Sequence, residues 1–378
     1  MRSEAFPFKG TPMKTTMQTD VLVRGLACGG SVRALAIRST GVAARLAHLH
    51  DASPLGAVAL SRVGTAALLL GGLLKGREQV SLQLKGNGPL GAVYALADAA
   101  GHVRVSIDRA QAEAPSDANG RITLGSGFGL GLLTVIRSLG MKEPYVGVVP
   151  IMTGEVAEDL AHYFQVSEQK PAAVAISEFI GPDGLRAAGG FLIQALPGAA
   201  EEALAEVETR IAALPPLSRL LAEGHGPEEV LGRIFDELVV LETYPVSVEC
   251  NCSRERFESL LAGLGETELR SLAEERDQAE VACHFCNTRY YFTTEELLAL
   301  IAPARPARLI DTPPGGRPTD ASEAPPAWAQ CGRNVVASRP TFRSSRWRLS
   351  RSTPACSAAR VTLPSTAVRT ASRYCRVA

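Results

Sequence analysis

The chain of 378 residues is 46% hydrophobic, enough for two or three domains with real cores, and its 39 basic residues balance 39 acidic ones. That balance hides a division: residues 304–378 carry thirteen Arg, no Lys and three acidic residues, leaving 26 basic against 36 acidic before them. An acidic body argues against a phosphate-tracking surface as the purpose of the folded part. The longest apolar run, Ala66–Lys75, is about half of the ~20 residues a bilayer crossing needs, so no membrane association is expected. The opening MRSEAFPFKG has no apolar h-region, which points to a cytoplasmic protein.

Residues 1–19 read as a disordered N-terminal extension. Residues 20–196 mix alternating apolar runs with helical stretches, without the strand-helix-strand rhythm of a parallel doubly wound sheet. The fold class expected is α+β: a mixed or antiparallel-sheet core domain, a helical linker and a small C-terminal zinc-binding domain. Within the core, strands are predicted at Val80–Leu84, Gly91–Asp98 and His102–Asp108, with links too short for anything but antiparallel pairing. TGEVAEDLAHYFQVSEQKP predicts a helix capped by Thr153, with Val156, Leu160, Tyr163 and Phe164 inward and Pro171 beyond its end. Residues 197–245 form the linker, first AAEEALAEVETRIAALPP, a helix stopped by Pro215 and Pro216. Leu217–Pro245 follows, helical by period but broken at Gly224 and Gly226. Its Leu217, Leu220, Leu221, Val230, Leu231, Ile234, Phe235, Leu238 and Val239 are too many apolar groups for a solvated spacer. Residues 246–303 make a unit small enough to need a staple, and 304–378 a basic disordered tail rich in Arg, Ser and Pro.

The small unit supplies the staple. VECNCSRERF and VACHFCNTRYYF place Cys250 and Cys252 as C-x-C, and Cys283 and Cys286 as C-x-x-C. Two such pairs suit one tetrahedral zinc site of four thiolates, with a helical segment between them to loop out and return. A permanent pair of disulfides is the bland alternative, and it conflicts with a reducing cytosol. His284 would be a fifth donor to a complete shell, so it reads as a neighbour or an exposed residue. Phe285, Tyr290, Tyr291 and Phe292 read as the small unit's core, and Cys28 as a packed small residue. Zinc-held thiolates are also the form that oxidants attack, and metal binding is folding energy for a module of this size. No G-x-G-x-x-G, P-loop, G-x-S-x-G or H-E-x-x-H pattern occurs, and no enzyme is expected.

From Asp20 to Ile301 the chain resembles the heat-shock protein 33 family of redox-regulated holdase chaperones. RGLACGGSVRAL, EPYVGVVPIMTGEVAEDLAHYF, SEQKPAAV, AGGFLIQALPGA, CNCSRER and CHFCNTRYYF carry the likeness, in order. The resemblance implies an ATP-independent chaperone, inactive when reduced and holding one zinc ion. Client binding and dimerisation would fall to the core domain. On oxidative stress, Cys250 would pair with Cys252 and Cys283 with Cys286, zinc would leave, and the module and linker would loosen to capture unfolding proteins as a homodimer. Residues 1–19 and 304–378 have no counterpart in that family's pattern. The competing reading is a zinc-ribbon nucleic-acid-binding protein anchored by the basic tail. The acidic body and the mixed charges of SRERFESLLAGLGETELRSLAEERDQAE speak against it, and no nucleic-acid partner is expected.

Overall fold

The computed structural model describes residues 19–115, 122–139, 143–181, 184–275 and 278–301. The N-terminal extension short of Thr19, and the whole basic tail with Cys331, Cys356 and Cys375, lie outside them. Strands β1 (Val21–Ala27) and β2 (Val32–Arg38) are joined by a single 3-10 turn, and helices α1 (Thr40–Leu49) and α2 (Pro54–Gly71) follow. The three predicted strands are present as β3 (Gln79–Gly86), β4 (Ala92–Asp98) and β5 (His102–Ile107). Then come α3 (Leu124–Phe128), β6 (Gly131–Ser138), β7 (Tyr145–Pro150), α4 (Val156–Val166), β8 (Ala172–Gly181) and β9 (Gly184–Ala195). Residues 197–245 hold α5 (Glu201–Ala213), α6 (Leu217–Ala222), α7 (Pro227–Gly232) and β10 (Leu238–Pro245), and β11 (Ser247–Val248) follows. The last segment is α8 (Arg254–Ala262), α9 (Glu266–Glu275), β12 (Gln278–Ala282), β13 (Arg289–Thr293) and α10 (Thr294–Ala299).

Strand order is β10-β1-β2-β9-β8 in one sheet and β11-β5-β4-β3-β6-β7 in the other, with β12-β13 a separate hairpin. Every pairing is antiparallel except the short one of β11 with β5. Side chains alternate as a pleated strand demands: Val80, Leu82 and Leu84 are fully buried, whereas Ser81 and Gln83 are half-buried. The inner faces of both sheets share one core with α1, α2 and α4.

Helix α2 is the axis of that core. Ser53 caps it, its Oγ accepting from the Gly56 N–H at 3.1 Å, and Pro54 occupies the first turn, where its missing N–H costs nothing. The helix begins well before the apolar run at Ala66–Lys75 and is long and apolar enough to span a membrane, but 89% of its length is buried inside the protein. Gly56 lets it approach a neighbouring loop, since a Cβ there would lie 2.1 Å from the Ala110 carbonyl oxygen.

Helix α4 buries Val156, Leu160, Tyr163 and Phe164 as its period predicts, but Thr153 does not cap it. The helix starts after Glu155, and Thr153 Oγ1 accepts from the Glu155 N–H instead. The preceding turn is gathered by Asp159, whose carboxylate accepts from the N–H groups of Met152, Thr153 and Gly154 at 2.9, 3.1 and 3.0 Å. A buried carboxylate one turn into the helix thus does the organising that sequence assigns to a hydroxyl before it.

The linker is helical through α5, α6 and α7. Val207, Ile211, Leu217, Leu221, Val230, Leu231, Ile234 and Phe235 form a second core against Val23, Val32, Ala34, Phe191 and Ile193 on the outer face of the first sheet. Leu238–Pro245, read as helix by its period, is instead an edge strand paired with β1 from Leu238↔Ala27 to Pro245↔Val21. Its Val, Thr and Tyr content suits a pleated edge, and pairing with β1 overrides the apolar spacing. Val239 and Leu241 are accordingly 64% and 56% exposed.

Candidate metal centre

Each cysteine pair grows out of a short regular element. Strand β11 pairs with β5 through Ser247↔His102 and Val248↔Val103, and the Glu249 N–H donates to the Val103 carbonyl at 2.9 Å. Cys250 and Cys252 follow at once. Ser253 then caps α8, its Oγ accepting from the Arg256 N–H at 3.3 Å. Cys283 and Cys286 lie in the turn between β12 and β13, closed by Asn287 N–H to Cys283 carbonyl at 2.8 Å and Cys283 N–H to Thr288 carbonyl at 2.9 Å. Asn287 takes the left-handed φ of 56° that this turn requires, a value Asn tolerates better than most residues.

The two turns face each other. Cys250 Sγ is 3.6 Å from Cys283 Sγ, Cys252 Sγ is 3.3 Å from Cys286 Sγ, and all four sulfurs lie within 4.8 Å of one another. Four thiolates at about 2.3 Å from one ion would be spaced by about 3.8 Å, so small side-chain shifts would suit the set to a tetrahedral thiophilic ion such as zinc. Tyr290 Oη donates to Cys252 Sγ at 3.3 Å, and Thr288 Oγ1 is 3.2 Å from Cys286 Sγ. Such outer partners orient a ligand and relieve its charge.

Crowding leaves the thiols unequal. Burial pushes Cys250 up to about 12 and raises Cys252. At Cys286 burial also acts upward, but hydrogen bonds from the Thr288 side chain and backbone, then from Cys252 and Cys283, outweigh it and bring the thiol down to about 7. Cys286 thus ionises most readily of the three, whereas Cys250 and Cys252 resist ionisation in the absence of a cation.

Of the residues singled out by sequence, the structure brings Cys250, Cys252, Cys283 and Cys286 together and leaves Cys28 apart, half-buried against the second core. His284 is exposed. Phe292 and Tyr290 do pack the module's core with Leu261, Leu269 and Leu297, but Tyr291 is 44% exposed. Phe285 turns away from that core and lies under Arg104, whose guanidinium carbon is 4.8 Å from the ring centroid. Sequence reading missed Arg104, His50 and Leu49, which meet the cysteine turn from more than 170 positions away and carry no local signal. It also missed Thr288 and the hydroxyl of Tyr290, which lie within four residues of Cys286 and were legible in principle as donors beside a thiolate.

Comparison with known proteins adds the following. A family model described as Hsp33 protein matches residues 20–293. The 33 kDa chaperonin of Bacillus cereus is 41% identical over 286 residues, 75% of this chain and 98% of the relative, and that of Bacillus anthracis gives the same figures. The crystal structure of the 33 kDa chaperonin (heat shock protein 33 homolog) from Thermotoga maritima matches with a TM-score of 0.71 at 35% identity. That match covers 75% of this chain and 98% of the other.

Proposed function

Because the chain belongs to the Hsp33 family, we propose that it is a redox-regulated, ATP-independent holdase that binds unfolding proteins in the cytoplasm when oxidants strip it of zinc. The observation that carries the reading is the cluster of four sulfurs within 4.8 Å, in a module whose separate core is built from few side chains. Cys250, Cys252, Cys283 and Cys286 would hold one zinc ion, which supplies charge neutralisation and folding energy. Oxidation by peroxide then balances simply: two zinc-held thiolates, one peroxide and two protons from solvent give one S–S bond and two waters, once for Cys250 with Cys252 and once for Cys283 with Cys286. Disulfide sulfurs are poor ligands, so the module loses its fastener. Helices α6 and α7, six residues each, are too short to persist alone once their docking weakens. Their buried apolar faces then become client-binding surface, and the active form is a homodimer.

The nucleic-acid reading finds little support on the module's surface. Arg254 pairs with Glu296 and Glu258, Arg270 with Glu266 and Arg289 with Glu280, so these cations are already matched to carboxylates.

The test is zinc release, followed with a chromogenic chelator, alongside suppression of light scattering from a heat-denatured client, before and after peroxide. Suppression should rise as about one zinc per chain is released. Equal suppression by the reduced, zinc-loaded protein would refute the switch. Sedimentation of the oxidised form should give a dimer, and peptide mapping should find the two neighbour disulfides rather than the cross pairs that lie closest in the reduced fold.

A further inference from the structure

The module's hydrophobic core is separate from the large core of the two sheets, yet both cysteine turns rest on one small area of the core domain. The first turn is reached through β11 on the edge of β5, where Glu249 also lies 3.3 Å from His102 Nε2. The second is held from the two residues flanking Cys286. Asn287 Nδ2 donates to the Leu49 carbonyl at 2.6 Å, and the Phe285 ring lies under Arg104. His50, only 8% exposed, bonds the Val105 carbonyl through Nε2 at 2.9 Å, with the Phe285 backbone close to its ring.

We propose that the end of α1 and strand β5, through Leu49, His50, His102 and Arg104, form a seat that clamps the cysteine cluster, so that seat and metal together set the threshold at which the switch opens. The proposal rests on the zinc-switch reading and adds to it a second, metal-free determinant. The contacts named fall on Glu249, Phe285 and Asn287, in the ligand-bearing turns themselves. Displacing either turn to form a disulfide therefore breaks seat contacts as well as thiolate bonds, and an intact seat resists the displacement. A module held by its metal alone would be insensitive to Arg104.

The experiment uses the full-length, reduced, zinc-loaded protein and measures the rate of zinc transfer to a chelator, which needs no chaperone activity. Arg104→Ala should keep one zinc per chain and lose it about 2- to 30-fold faster, the range expected for removing a cation–π contact. Arg104→Lys, which keeps the cation, should fall between. Phe285→Leu should accelerate release similarly, and the double variant should be no faster than the faster single, because both remove the same contact. Arg270→Ala, on an exposed face of α9, should match wild type. Unchanged rates in both single variants, or fully additive effects in the double, would overturn the seat. Should wild type release zinc to the chelator normally but show no activation by peroxide, the functional reading fails while the seat remains measurable.

Discussion

Asp159 is fully buried, and its carboxylate holds three consecutive N–H groups ahead of α4. Burial pushes this carboxyl above its ordinary value, against the opposing pull of those N–H donors. A raised native value means that the folded state binds the proton more tightly, so this group's contribution is best at acid pH. It declines as pH climbs from the ordinary carboxylate range through the raised one. Asp159→Asn should flatten that part of the urea-unfolding pH profile. At neutral pH it should also cost about 1–3 kcal/mol, because an amide NH₂ meets donors that need an acceptor. Asp20 and Glu155, raised mainly by burial as well, leave a residual slope in the variant. A profile identical to wild type would show that Asp159 does not titrate differently on folding. At the candidate metal centre, Tyr290→Phe removes the hydroxyl that donates to Cys252 and should weaken zinc affinity by about 10-fold in a chelator competition. The clustering of the four cysteines was legible because the short C-x-C and C-x-x-C spacings bring sulfurs together. Tyr290 was read as a packing residue, although a hydroxyl four positions from Cys286 was a candidate donor to a thiolate.

Elements were readable wherever a period coincided with burial. β3 to β5, α4 and α5 follow their apolar patterns closely, while the stretch after Gly232 does not, because an edge strand with both faces partly open carries no clean alternation. The linker's behaviour depends on α6 and α7 being short and separated by Gly224, at a φ of 90°. Neither would nucleate in isolation, so their order comes from the outer face of the first sheet. Leu231, with no exposed surface, is the point where that dependence is most easily broken. Leu231→Ala should cost about 2–5 kcal/mol. Hydrogen exchange should show the loss first in α6 and α7 and not in α2, and client capture after peroxide should begin at a lower temperature. If α2 lost protection in step with α7, the linker would be an integral part of the core and not a separately releasable layer.

At the scale of the molecule, the two sheets and α2 make a large core, whereas the module rests on a handful of side chains and, in our reading, a metal ion. Chelation under reductant should therefore abolish exchange protection in α8–α10 and the β12–β13 hairpin and leave α2 protected. A module that stayed protected without metal would remove the physical basis of the switch. The α+β class was legible from composition and patterning. The contact of Arg104 with Phe285 was not, because it depends on how the chain returns to itself after 180 residues.

The short parallel pairing of β11 with β5 ends one residue before Glu249 and two before Cys250. While that pairing persists, an opened module stays on a leash of a few residues, and its cysteines revisit their docking site at high effective concentration. Re-closure after reduction is then a first-order event, whose speed would be the same in a dilute tube as in a crowded cell.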